Sequence, residues 1–195
     1  MPVVVIVART AELAEEHLAA GTLRCPRCCG RGLLAWGYGR TRTVRSHGTT
    51  TVTVRPRRVR CNGCGSTHIV LPAALQPRRA DTTAVVGTAL LHKANGLGYR
   101  RIAARSGRPE STVRRWLRRA APAHLEWMYQ RGVQRLVQLA PDTLHELRYC
   151  RNLLRHALSV LAAAAYWDRR RCGFADPPWT LIGVYTCGRL LGPPG

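Results

Sequence analysis

The chain has 195 residues, 46% of them hydrophobic, which is enough to bury a core in one large or two small domains and excludes a disordered tail. It carries 31 basic residues against 10 acidic ones, a formal charge of +21 at pH 7, and Lys93 is the single lysine among the 31. No apolar run approaches the ~20 residues needed to span a bilayer: the longest beyond the N-terminus, Ala157 to Trp167, has 11 and contains Ser159.

Richness in arginine, alanine, glycine and proline is what a GC-rich genome encodes, but the placement of the charge carries more than codon bias. Residues 17 to 125 hold 21 basic residues and only Asp81 and Glu110 as acids, a local excess of 19, whereas both flanks are close to balance. Positive potential concentrated in this way is the footprint of a phosphate-binding surface. An acidic protein or a membrane surface would be attracted by the same charge.

Val3 to Val7 reads as a strand, and Ala11 to Ala20, with acids at Glu12, Glu15 and Glu16, as a short helix ended by Gly21. These form an N-terminal segment over residues 1–22. The apolar start has no basic region before it and ends by Ala8, so it is not a signal peptide. A cytoplasmic, nucleoid-associated location is expected, where the eight cysteines stay reduced and are read first as metal ligands.

Residues 23–72 contain two C-x-x-C knuckles, Cys25-Pro-Arg-Cys28 and Cys61-Asn-Gly-Cys64, separated by 32 residues. Each knuckle turns two thiolates toward two corners of a tetrahedron, and a pair of knuckles closes the site against substrate. The expected cofactor is therefore a structural Zn2+ held by Cys25, Cys28, Cys61 and Cys64. Cys29 and His68 are rival ligands; adjacent Cys28 and Cys29 cannot easily both face one ion, which favours the four. Leu33 to Trp36, Arg40 to Arg45, Thr49 to Val54 and His68 to Leu71 read as strands, with a turn at Ser46-His47-Gly48. The pattern resembles a zinc ribbon decorated by arginines at 40, 42, 45, 55, 57, 58 and 60. Cys150, Cys172 and Cys187 are isolated from one another and read as packing residues.

Pro72 to Arg79 reads as a linker. Asp81 or Thr82 then caps a helix to about Asn95, and the segment from Gly96 to Arg119 has the pattern of a helix-turn-helix within a unit at residues 80–120. Ala103 falls where the two helices cross, Gly107 at the turn, Pro109 in the first turn of the second helix, and Ile102, Val113, Trp116 and Leu117 on the buried side. Ser106 and Arg108 occupy positions beside the turn where an apolar residue would be usual, which predicts a looser turn. Over residues 122–195, Leu125, Met128, Val133, Leu136 and Leu139 predict one helix. Pro141-Asp142 stops it and caps the next, which carries Leu144, Leu147, Leu154, Leu158, Leu161 and Ala165 to about Trp167. Pro177-Pro178-Trp179 and Leu181 to Leu191 then fold back over this hairpin.

The run Ser111-Thr112-Val113 with Trp116-Leu117 resembles the helix-turn-helix of bacterial transposases and resolvases. Gly98, Ile102-Ala103 and Thr112-Val113 look like the promoter-reading region of sigma factors. From Arg24 onward, through Cys25-Pro-Arg-Cys28, Cys61, Cys64, Thr67-His68 and Ser111 to Leu117, the chain resembles uncharacterised actinobacterial-type proteins and the amino-terminal regions of insertion-element transposases. That resemblance implies DNA recognition and a mobile-element ancestry.

The sequence thus predicts an α+β fold: a small β-rich zinc ribbon, then a helix-turn-helix region and a helical hairpin. Its expected function is non-catalytic reading of duplex DNA, as a transcriptional regulator or a transposon-derived accessory factor. Ser111, Arg114, Arg115, Arg118, Arg119, Arg100, Arg101, Arg57 and Arg58 are the expected DNA contacts. A homodimer through the C-terminal helices is compatible with their close-packing alanines at 162–165; neither a membrane nor a small-molecule substrate is expected. The alternatives are a DNA-binding fragment or relic of a transposase, and a zinc-ribbon module for RNA or protein. A nuclease of the common transposase type is disfavoured, because the 75 residues from Ala121 offer only five acids and no triad of metal-binding carboxylates.

Overall fold

A computed structural model describes residues 5–30 and 32–192. The fold is α+β, with its strands in the first part of the chain and its helices mainly in the second. The first half of the strand expected at Val3 to Val7 falls outside the described residues, but Val5–Ala8 forms β1. Helix α1, Ala11–Ala19, follows at once, capped by the Thr10 hydroxyl, which accepts from the Leu13 amide at 3.2 Å. Gly21 takes φ +63°, as the expected stop requires.

Five further strands follow: β2 Leu33–Tyr38, β3 Arg42–Arg45, β4 Thr51–Val54, β5 Arg57–Cys61 and β6 Thr67–Pro72. The main sheet runs β1-β6-β5-β2, and β3-β4 form a separate antiparallel hairpin. Two features differ from the sequence reading. The segment taken as arginine decoration, 57–61, is a central strand that alternates inward Val59 and Cys61 with outward Arg58 and Arg60, pairing Leu33 with Cys61 on one side and Val59 with His68 on the other. In addition, β1 pairs in parallel with β6, Val5 beside Ile69, so the N-terminal segment shares the sheet of β2, β5 and β6. A small core of Ala8, Ala14, Cys25, Leu33, Val59, Cys61 and Val70 closes this part.

Residues 73–79 are not a loose linker. Ala73, Leu75 and Gln76 are buried, and the Thr83 hydroxyl donates to the Ala73 carbonyl at 2.7 Å. Thr82, rather than Asp81, caps α2 (Thr83–Ala94). Helices α3 (Tyr99–Ser106) and α4 (Glu110–Arg119) come next, then α5 (Pro122–Leu139), the single turn α6 (Thr143–Glu146), α7 (Leu153–Cys172) and α8 (Pro178–Tyr185).

The expected helical hairpin is α5 against α7, brought close at Gly132, where a Cβ would stand 3.0 Å from a Val160 methyl. Asp142 does not cap a long helix, however; α7 starts eleven residues later, and the Asn152 side chain caps it by accepting from the Arg155 amide at 3.1 Å. Helix α8 folds back as expected, its Gly183 pressed on the Ala73 carbonyl and Trp179 lying over Gly87 of α2. These helices share one core running from Val85 through Trp116 and Leu161 to Leu191.

Candidate metal centre and basic helical face

The two knuckles have the same backbone. The Cys29 amide donates to the Cys25 carbonyl at 2.8 Å and the Gly65 amide to the Cys61 carbonyl at 2.9 Å; Cys25 N–H reaches the Gly30 carbonyl and Cys61 N–H the Ser66 carbonyl, both at 2.9 Å. The residue after each second cysteine turns left-handed, φ +56° at Cys29 and +68° at Gly65. Glycine takes that conformation freely, whereas a residue with a Cβ is strained in it. Cys29 is thus the turn residue of its knuckle and its exposed thiol lies outside the cluster.

Sheet register completes the site. β5 ends on Cys61 and pairs it with Leu33, while β2 follows directly on the first knuckle. The sulfurs of Cys25, Cys28, Cys61 and Cys64 all lie within 4.8 Å of one another, and the Cys25–Cys64 and Cys28–Cys61 pairs are each 3.7 Å apart. An ion ligated by four sulfurs at about 2.3 Å requires tetrahedral edges of about 3.8 Å, which these two pairs match, so the cluster could hold a metal ion. Two sulfurs are buried and two exposed. Hydrogen bonds from the Ser66 side chain and backbone, with smaller contributions from Cys25 and Cys61, pull the Cys64 thiol down to about 6. His68 is buried beside the cluster with Nε2 3.3 Å from the Cys25 sulfur. That is the distance of an N–H···S hydrogen bond rather than of a fifth ligand in the four-sulfur set.

Of the isolated cysteines expected to pack, Cys150 and Cys187 are half-buried, whereas Cys172 departs from that role, exposed at the end of α7.

Helices α3 and α4 join through Gly107, Arg108 and Pro109. Gly107 sits at φ +61°, and the Arg108 amide closes the end of α3 on the Ala103 carbonyl at 3.1 Å. Pro109 precedes α4 as its cap residue, just before the first turn in which it was expected. Ile102, Ala103, Val113 and Trp116 are buried and Leu117 is half-buried, so the predicted inner face is the observed one.

Arg108 contradicts the expectation of a loose turn. Its side chain is 5% exposed; Nε lies 2.6 Å from Asp81 Oδ1, Nη2 donates to the Ser46 carbonyl at 2.6 Å, and Nη1 reaches the Ser106 and Gly107 carbonyls at 3.1 and 3.3 Å. The other Asp81 oxygen accepts from Arg45 on β3 at 2.8 Å. Backbone bonds from Arg45 to Ala80 and from Thr82 to Arg45 tie the same strand down. The turn is therefore clamped to the β3-β4 hairpin through a buried carboxylate.

On the opposite side of α4, Ser111, Arg114, Arg115 and Arg118 are exposed at i, i+3, i+4 and i+7, a single stripe about 10 Å long at 1.5 Å per residue. None of these arginines pairs with a carboxylate among the described residues; Arg114 stacks over Tyr99 with its guanidinium 5.2 Å from the ring centre. Arg119 is half-buried near the end of the helix. Arg100 and Arg101 are exposed on α3, Arg100 within 3.8 Å of Glu110. Arg57 and Arg58 are half-buried on β5. Arg57 is held by Glu15 of α1 at 3.2 Å and lies over Tyr38, so it joins α1 to the sheet rather than standing free. Sequence reasoning missed Asp81 and Arg108 as partners; their only signal was an isolated acid within a long basic stretch.

Among the described residues no helix is long and apolar enough to cross a membrane. No curated protein and no solved structure matches the chain. A family model described as a domain of unknown function (DUF6431) matches residues 25–116, just under half of the chain, from the first cysteine of the cluster to the buried tryptophan of α4.

Proposed function

We propose that this protein is a non-catalytic, zinc-containing DNA-binding protein in which α3 and α4 act as a helix-turn-helix and residues 23–72 as a zinc ribbon. The observation that carries the reading is the two-sidedness of α4: Val113 and Trp116 are locked in the core, while Ser111, Arg114, Arg115 and Arg118 face outward without a carboxylate to neutralise them. A stripe of that length matches a major groove about 12 Å wide, and a guanidinium fork fits the two acceptors on a guanine edge. Arg100, Arg101 and Arg119 flank the stripe and serve as phosphate contacts, with Arg58 a further one on the ribbon. Arg57, engaged by Glu15, is left out. Four clustered cysteine sulfurs favour zinc or an iron–sulfur centre over hard cations, and a site with all four corners filled by protein suits a structural zinc.

The resemblance to insertion-element transposases supports a regulator or accessory factor derived from a mobile element. The test is selection of bound sequences from a random duplex pool by the zinc-loaded protein, followed by binding of the selected duplex. Arg114→Ala should weaken the selected sequence by roughly 1–3 kcal/mol more than scrambled DNA if Arg114 reads a base. A pool that yields no enriched motif refutes sequence-specific recognition.

A further inference from the structure

A recess of about 400 Å³ lies where residues 76–79, the end of α4 and the tail at 187–192 meet. The tail is strapped there: the Gly192 amide donates to the Arg119 carbonyl at 3.1 Å, and Gly188, at φ +69°, packs on Pro77 and Val7. Val5, Pro77 and Leu191 give the recess apolar walls, and its charged lining is Arg78, Arg79, Arg119 and Arg189. No acid lines it, and none of the four forms an ion pair among the described residues.

Gln76 supplies a second, independent observation. It is 98% buried, it lines the same recess, and its Nε2 has no hydrogen-bond partner among the described residues. Leaving a buried donor unmade is costly, so an amide held in this position is expected to meet an acceptor. Burial, with Arg119 and Arg115 nearby, also pushes Arg79 below the usual arginine range. Four uncompensated cations and an orphaned amide are a poor arrangement for an empty cleft and a good one for a multiply charged oxyanion, since guanidinium forks bind phosphate oxygens in pairs.

We propose that this recess is a phosphate-binding site, with Gln76 and Arg79 at its floor and Arg78, Arg119 and Arg189 around its mouth. The phosphate belongs either to a small phosphorylated ligand or to a DNA backbone seated beside α4, and the recess at about 400 Å³ lies within the usual 300–1,000 Å³ of small-ligand sites.

The experiment is calorimetric titration of the full chain with inorganic phosphate and with pyrophosphate, at ionic strength held constant with chloride. Wild type is compared with Arg79→Gln, Gln76→Glu and the remote exposed control Arg148→Gln. Binding should weaken at least about tenfold, equivalent to 1.4 kcal/mol, in the first two variants and stay unchanged in the control. Arg189→Gln, a change at an exposed position, provides the same comparison should Gln76→Glu not fold.

Parallel anisotropy titrations with duplex DNA separate the two sources. If the variants weaken duplex and phosphate binding together and pyrophosphate displaces the duplex, the site takes a backbone phosphate; if duplex affinity is unchanged, it takes a free ligand. Phosphate binding without any duplex binding would sink the DNA reading and leave this site standing. Wild type that binds neither anion, or variants that bind as wild type does, overturns the proposal.

Discussion

Asp81→Ala should be among the most damaging single substitutions outside the cysteine cluster. The carboxylate is 3% exposed and both of its oxygens are used, one by Arg108 at 2.6 Å and one by Arg45 at 2.8 Å. The two arginines are not equivalent. Arg45 is 43% exposed and would return to water at little cost, so its half of the arrangement is worth about 0.2–1 kcal/mol. Arg108 is 5% exposed and would keep its charge in the interior, where removal of one partner of a buried pair costs about 3–5 kcal/mol. Three carbonyls, those of Ser46, Ser106 and Gly107, would still accept from it, but they solvate the charge without cancelling it. A loss of that size is a large fraction of a stability of about 5–15 kcal/mol. Urea unfolding of metal-loaded protein, followed by tryptophan fluorescence, measures it because Trp116 is buried in the same helical core. Arg45→Ala should cost several-fold less than Asp81→Ala, and Arg108→Met should lessen the effect of Asp81→Ala, with a coupling of roughly 1–3 kcal/mol between the two sites. If Asp81→Ala costs no more than Arg45→Ala, or the double variant is simply additive, the clamp is not what holds the turn.

Metal analysis should give close to one ion per chain for wild type and for Cys29→Gly, and far less for Cys64→Ala; because Cys29 sits at φ +56°, the glycine variant should also be more stable, by up to roughly 1 kcal/mol. Loss of the ion in Cys29→Gly would show the ligand set to be wrong. Gly183→Ala should lower stability by about 1–3 kcal/mol, since a Cβ there overlaps the Ala73 carbonyl and must push α8 off the 73–79 segment; an unchanged thermal midpoint would contradict that packing. The pH dependence at Asp168 has a definite sign. Burial alone would raise its pKa, but the two-pronged Arg135 bond and the Tyr185 hydroxyl outweigh burial and hold it below the usual carboxylate value. Its contribution is then complete above about pH 4, the unfolded value, and is lost as pH falls through the folded value. Urea midpoints for wild type and Asp168→Asn should differ most near neutrality and converge in acid, and a constant difference would contradict the assignment.

The parts of this fold that local pattern could reveal were those governed by short periods. The apolar spacing of Ile102, Val113 and Trp116, the turn at Gly107 and the paired C-x-x-C knuckles each express a constraint confined to a few neighbouring residues, and each is found where the pattern put it. Strand β5 was hidden because Arg57, Arg58 and Arg60 read as surface charge, although Val59 and Cys61 alternate inward between them. The parallel pairing of β1 with β6 brings together residues more than sixty positions apart, and no local signal marks it. Position 108 was misread for a related reason. An arginine beside a tight turn looks like a defect until its partner, twenty-seven residues earlier, is known to be buried with it.

The two acids of the basic stretch give that partner its wider meaning. Glu110 stands exposed at the start of α4, where a negative charge favours the helix dipole, and only skirts Arg100 at 3.8 Å. Asp81 is spent inside, between Arg45 of the hairpin and Arg108 of the turn. Neither acid reaches Arg114, Arg115 or Arg118, so the charge on the outer face of α4 stays uncompensated while the inner side of the same unit is neutralised. One carboxylate thereby ties the turn before α4 to the β3-β4 hairpin. The hairpin is joined in turn to the cysteine-bearing sheet, through the Gly39 amide on the Pro56 carbonyl at 2.8 Å beside the start of β5. Loss of the metal should therefore be felt at α4 as well as at the knuckles: amide exchange in the metal-free protein should quicken at Arg108 and through the first turn of α4, and Asp81→Ala should produce the same quickening with the metal still bound. Exchange confined to residues 25–71 after metal removal would show that the helices hold their turn without the hairpin.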